Sequence, residues 1–375
     1  MSLVSPEVLE QIRARAAEVD AQAKFPKENI AALGKAGLLG LCVPKERGGR
    51  GEGPAAFAQV VESIASACAS TAMVYVMHVT AAQAIEKSRS PERDALLGAI
   101  ARGAHLTTLA FSEKGSRSQF WAPVSKLEPG PGNTLRTTAL KSFVTSASHA
   151  DSYVSSAQQP GAASPMESTL YLVRKGHDGV RIQGGFDGLG LRGNDSAPVV
   201  LEAYEIDDKA LLTEHGKGAA MMLDVVLPWF AIGTSAMAVG LCREAVRVTS
   251  QHLSGTGFEH TGSQLRDLPT LRARLSEMSV RTEQAAALLD ATLTKLQAND
   301  PATPLFVLQT RIAALEAAVE VTDLAMKACG GAAFSKQLGV ERLFRDARAG
   351  WVMAPTVDHL KDFVGRALTG MPLFG

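Results

Sequence analysis

Apolar positions recur at helical spacing through both ends of the chain and lose that spacing in the middle. From Pro304 to Cys329, apolar or small residues fall at Leu308, Ile312, Leu315, Val319, Thr322, Met326 and Cys329. That repeat of four and three draws one stripe along a helix, started by Thr303-Pro304 and stopped by Gly330-Gly331. The opposite edge, with Arg311, Glu316 and Glu320, is expected to be solvated or to face another subunit. Leu265 to Leu296 and Trp229 to Leu253 carry the same kind of pattern, and the AIGTSAMAVG core of the second is small enough for close helix approach. Three such helices predict an antiparallel bundle.

The middle, from about Thr107 to Ile206, reads differently. LRTTAL, SYVSSAQ, TLYLVRK and PVVLEAYEI are short runs rich in β-branched and aromatic residues, separated by turn-rich pieces such as EPGPGN and QQPGAASP. GPGN and GAASP are expected to be exposed loop tips, because no helix start follows either. The expected fold class is α+β: an N-terminal helical domain over 1–106, an antiparallel β domain over 107–210 and a C-terminal four-helix bundle over 211–375.

Composition narrows the function. Lys plus Arg and Asp plus Glu both number 38, so net charge gives no reason to expect nucleic acid or an anionic membrane surface as partner. The first 22 residues carry charges every few positions, unlike a signal peptide, and no run of roughly 18 to 20 consecutive apolar residues suggests a bilayer span. Cys42, Cys68, Cys242 and Cys329 fit no zinc or redox spacing and are expected to be buried free thiols of a reducing cytoplasm. The eight histidines are scattered, and no metal is expected.

Five blocks carry a resemblance: FPKENIAALGKAGLLGLCVPKERGGRG (Phe25 to Gly51), LAFSEKGSRSQF (Leu109 to Phe120), KSFVTSASHAD (Lys141 to Asp151), LGLRGNDSAPVVLEAYEI (Leu189 to Ile206) and MKACGGAAF…VERLFRDAR (Met326 to Arg348). In this order they resemble the acyl-CoA dehydrogenase family. The resemblance implies a homotetramer or homodimer built on the bundle, FAD held between subunits, and an acyl-CoA thioester lying against the flavin. Phe111, Ser112, Phe143 and Thr145 match positions that flank the isoalloxazine ring, with Phe143 in place of a tryptophan. Ser118 matches a serine near the cofactor and the thioester. Gly330 and Gly331 match the cofactor's pyrophosphate and adenosine contacts, with Lys327 in place of a glutamine before them but still able to pair with a phosphate, and Thr356 matches a flavin contact, with Asp358 in place of a glutamine just beyond it. The core of the middle strand, the helix C-cap and an isolated loop serine are the purely structural alternatives for Phe143, Gly330-Gly331 and Ser118.

The same register exposes departures. The glutamate that removes the α-proton in the family falls at Ala354, and the alternative acid and arginine of some relatives fall at Phe230 and Ala231. Asp224 is the nearest upstream acid, six residues out of register. Phe258 stands where the family has a pyrophosphate arginine, and Ala333 where it has a further glycine. Arg345-Asp346 and Arg348 are expected to form an ion-paired anchor. No catalytic base is identified. Three functions stay open: an FAD-dependent oxidoreductase on an acyl-CoA thioester, by dehydrogenation or a base-free variant; a non-catalytic or partner subunit; and a flavin monooxygenase of the same fold. Substrate choice is expected to depend on the pocket base, for which Val76, Met77 and His78 are candidates.

Overall fold

A computed structural model describes residues 3–373. The N-terminal part is helical: α1 (Pro6–Ala21), α2 (Lys27–Lys35), α3 (Pro54–Ala67), α4 (Ala69–Glu86) and α5 (Arg93–Ala101). The Ser5 hydroxyl caps α1 by accepting from the Val8 N–H at 3.4 Å, one residue before Pro6 opens the helix. α4 is buried on every side from Ala69 to Ile85, which explains its run of small and apolar residues and makes it the central helix of this half.

Seven strands form two sheets. Strands β1 (Thr107–Ala110), β4 (Ser152–Gln158) and β5 (Ser168–Arg174) lie in the order β1-β4-β5. Strands β2 (Glu128–Pro129), β3 (Leu135–Val144), β6 (Val180–Ile182) and β7 (Ala197–Ile206) lie in the order β2-β3-β7-β6. Every pairing is antiparallel except β1 with β4, which is parallel. β4 is buried along its whole length, so its sequence lacks the alternation that would have marked it as half-solvated. Both turn-rich pieces are largely exposed, as expected.

The C-terminal part begins with α6 (Gly218–Met221), passes through a π-helical turn over Met222–Val226 and continues as α7 (Leu227–Gly255). Next come α8 (Pro269–Gln297), α9 (Thr303–Cys329), the short α10 (Gly331–Phe334), α11 (Val340–Val352) and α12 (Val357–Leu368). α9 packs against α7, α8, α11 and α12. α8 starts four residues later than the pattern predicts, because a 3-10 turn over Leu265–Asp267 and the Gln264–Asp267 capping box precede Pro269. The small residues of α7 admit α3 and α4: a Cβ on Gly240 would stand 2.4 Å from the Glu62 carbonyl oxygen, and one on Gly233 2.9 Å from Phe57 and Val76.

Gly218–Gly255, taken as one helix, is long and apolar enough on average to cross a bilayer, although it holds no unbroken apolar run of that length; 78% of its apolar window is buried inside the fold. Two expectations are corrected. Arg311 is fully buried, because the covered part of α9 is wider than the predicted stripe: Leu308, Leu315, Thr322 and Cys329 of that stripe are buried, and so is the neighbouring row through Val307, Arg311, Ala314, Ala318 and Val321. Of the expected ion-paired anchor, Arg345 is ion-paired, whereas Asp346 and Arg348 form no ion pair among the described residues. Arg345 forms its ion pairs with Asp20 of α1 (2.5 Å) and with Glu341 (3.3 Å). Asp346 is buried and accepts from the Leu191 N–H at 2.7 Å, and burial pushes its carboxyl up to about 7. Arg348 donates to the Thr322 hydroxyl and the Phe344 carbonyl oxygen and lies over the Phe344 ring. All four cysteines are free and buried, as expected.

Candidate active site

The register of β3 against β7 breaks between Lys141 and Val144. At that break Phe143 takes φ 54, a conformation that costs a bulky side chain about 1 to 2 kcal/mol. The irregularity turns the ring outward, leaving it 73% exposed. A large aromatic held in the left-handed region and left uncovered marks a built surface.

That ring faces a cavity of about 1030 Å³. Its walls come from α4, from β1 and the loop after it, from the β3 break, from the start of α7 and from the turn joining α11 to α12. Six of the sequence-selected residues meet there: Phe111, Ser112, Ser118, Phe143, Thr145 and Thr356. Ser118 and Thr356 are joined directly, the serine hydroxyl accepting from the Thr356 N–H at 2.9 Å across 238 residues of sequence. Thr145 is buried, its hydroxyl 3.1 Å from that of Ser196. Lys327, Gly330, Gly331 and Asp358 lie outside this cavity and are exposed. Lys327 pairs with Asp323 at 2.6 Å, and Gly330 ends α9 with φ 56. Of the three candidates on α4, Met77 lines the cavity together with Met73, whereas Val76 and His78 are core.

The charges are one-sided. Glu113 is the single acidic residue in the wall among the described residues, and its carboxylate is already occupied. It accepts from Lys141 Nζ (2.5 Å), Ser125 Oγ (2.5 Å) and the N–H groups of Val124 and Ser125 (both 2.7 Å). Burial raises that carboxyl, but Lys141 and the other donors outweigh burial and hold it below the usual range, so it is a poor proton acceptor. Against it stand Lys114, Arg117, Arg345 and Arg348. Of these, Lys114, Arg117 and Arg348 have no ion-pair partner among the described residues. Ala354 and Phe230, where the sequence register misses its acid, both line the cavity. Asp224 is exposed and does not.

Sequence reasoning quoted Lys114, Arg117 and Leu189–Leu191 within its motifs without giving them a role, and named neither Gly188 nor His359; all of these line the cavity. The Lys114 to Ser118 segment carried a signal, two cations beside a glycine and two serines. His359, five residues beyond Ala354, carried none.

The wall fits a flavin. Phe111, Phe143, Phe186 and Phe230 offer apolar faces to a flat ring, Ser112 and Thr145 offer hydroxyls to its polar edge, and the unpaired cations suit phosphate. A β layer and a helical bundle enclosing such a cavity are compatible with a flavoprotein oxidoreductase, and the comparisons with known proteins agree. Residues 4–104 match the description "Acyl-CoA dehydrogenase, N-terminal domain" and residues 216–369 match "Acyl-CoA dehydrogenase, C-terminal domain". The chain belongs to the acyl-CoA dehydrogenase family. It is 26% identical to the cyclohex-1-ene-1-carbonyl-CoA dehydrogenase of Syntrophus aciditrophicus, over 98% of this chain and 88% of that one. Its fold matches that of butyryl-CoA dehydrogenase from Megasphaera elsdenii with a TM-score of 0.91 at 21% identity, covering 97% and 95% of the two chains. It also matches TdsC of Paenibacillus sp. A11-2, solved with FMN and indole, with a TM-score of 0.86 at 21% identity over 98% and 97%.

Proposed function

We propose that this protein is an FAD-dependent oxidoreductase of acyl-CoA thioesters. The observation that carries the reading is the open cavity with Phe143 uncovered in its wall. When bound, the flavin supplies a two-electron acceptor. The chain's own residues do the rest. Phe111 and Phe143 confine a flat ring, and Ser118 fixes the Thr356 backbone at the cavity edge. Lys114, Arg117 and Arg348 meet phosphate charge, whether of the flavin nucleotide or of coenzyme A. Met73, Met77, Phe230 and Ala354 exclude water from the acyl end.

Lys327, Gly330, Gly331 and Asp358 enter this reading through a second copy of the chain, whose cavity they complete at the adenosine end. Exposed large side chains at Phe334 and Leu368 support such a homotetramer or homodimer. The buried free thiols accord with a cytoplasmic protein. With no carboxylate at Ala354 or Phe230, the reaction is either dehydrogenation with another proton acceptor or a variant whose leaving group makes one unnecessary.

The test is spectroscopic. The purified protein should show oxidised-flavin absorbance, and the released cofactor should be FAD by mass spectrometry. Anaerobic addition of an acyl-CoA thioester should perturb or bleach the flavin bands. A colourless protein that binds no thioester would leave the non-catalytic partner reading. Oxygen-dependent turnover of a small aromatic with reduced flavin would favour the monooxygenase reading.

A further inference from the structure

Arg311 projects from α9 into the interior with no solvent exposure. Its Nε and Nη1 have no hydrogen-bond partner among the described residues, and no acidic side chain pairs with it. Burial lowers the guanidinium to about 9, so it remains a cation at neutral pH. A buried charge without a counter-ion is costly, and evolved cores seldom retain one without a use.

The two contacts it does make are with the cavity wall. Nη2 donates to the Met353 carbonyl oxygen at 3.2 Å, and the guanidinium lies 4.8 Å from the centre of the Phe230 ring. Met353 and Phe230 both line the cavity, and Ala354 beside them leaves only a methyl group. The cation therefore sits one side chain behind the wall where the register lacks its acid at positions 230 and 354.

We propose that Arg311 is a specificity residue, and that the substrate brings the missing anion as a carboxylate on its acyl chain. The inference rests on the thioester reading above. Nε and Nη1 each form one half of a guanidinium edge whose other half is Nη2; Nη2 gives one N–H to Met353 and keeps a second, so one edge is left to meet a carboxylate in two parallel hydrogen bonds. Arg311 itself does not line the cavity, so an anion reaches it only when the Phe230 ring or the Met353 side chain moves aside. A neutral acyl chain leaves the charge unpaired, so the site discriminates by the penalty that the anion removes.

The experiment compares ω-carboxyacyl-CoA thioesters with neutral acyl-CoA thioesters of equal chain length, by calorimetric titration of the protein as isolated. The acidic series should bind at least tenfold more tightly. In R311M that ratio should fall to about one, and R311K, which keeps the charge without the fork, should fall between. A purely structural Arg311 would change stability and leave the ratio alone. Equal affinity of the wild type for the two series overturns the inference and leaves the thioester reading intact, and the wild-type comparison holds even if R311M does not fold. Retention of the preference by a folded R311M also overturns it. Failure of both series to bind removes the thioester reading, and this inference with it.

Discussion

At the scale of single residues, two positions hold the site in tension with stability. Phe143 occupies a conformation suited to glycine while exposing its ring. Replacing it with glycine should leave thermal stability unchanged or raise it by about 1 kcal/mol, while flavin retention after gel filtration falls. A loss of stability would show that the ring is a core element after all. Arg345 and Asp20 are both largely covered, and their ion pair ties α11 to α1 beside the cavity. Asp20→Asn should cost about 2 kcal/mol in chemical denaturation, since a charged hydrogen bond is weakened and Arg345 is left partly uncompensated. Phe143 was legible in the sequence because a motif surrounds it. The Asp20–Arg345 pair was not, because 325 residues separate its members and only folding juxtaposes them.

Between elements, His78 and Gly240 fix the spacing of the layers. The His78 ring joins α4 to β1 and to the segment after α2: Nδ1 accepts from the Thr107 N–H at 3.2 Å, and Nε2 donates to the Leu39 carbonyl oxygen at 3.1 Å. Burial lowers this histidine from 6.5 to about 4, so the unfolded chain binds its proton first as pH falls. Its contribution is complete above pH 6.5 and is lost as pH falls towards 4, about 3 kcal/mol in all. The stability difference between wild type and His78→Gln, measured by denaturant titration at pH 7 and pH 4, should shrink by that order. Asp346 titrates in an overlapping range with the opposite sign, its raised value weakening the fold as pH rises, which is why the variant difference is the quantity to measure. Gly240→Ala should destabilise by about 2 kcal/mol or more in the same assay, because its Cβ would meet the Glu62 backbone. Small residues in α7 announced a close approach. They did not say that α3 and α4, outside the bundle, make it.

For the whole molecule, the element order and the cavity are properties of one chain, whereas the residues around Gly330 are not spent within it. Sedimentation should find a dimer or tetramer, and Phe334→Asp should shift it towards smaller species with loss of bound flavin. A monomer that retains stoichiometric FAD would contradict the shared-site reading. The sequence by itself determined the helical ends, the strand-rich middle, the family and the absence of its acid at Ala354, because periodicity and local motifs are short-range properties of a chain. Only the tertiary structure decided that α9 is covered beyond its predicted stripe, that Arg311 lies unpaired behind the cavity, and that cations 114, 117 and 348 share one wall. Burial and electrostatic environment depend on which distant segments pack together, and helical spacing cannot tell a covered polar position from a solvated one.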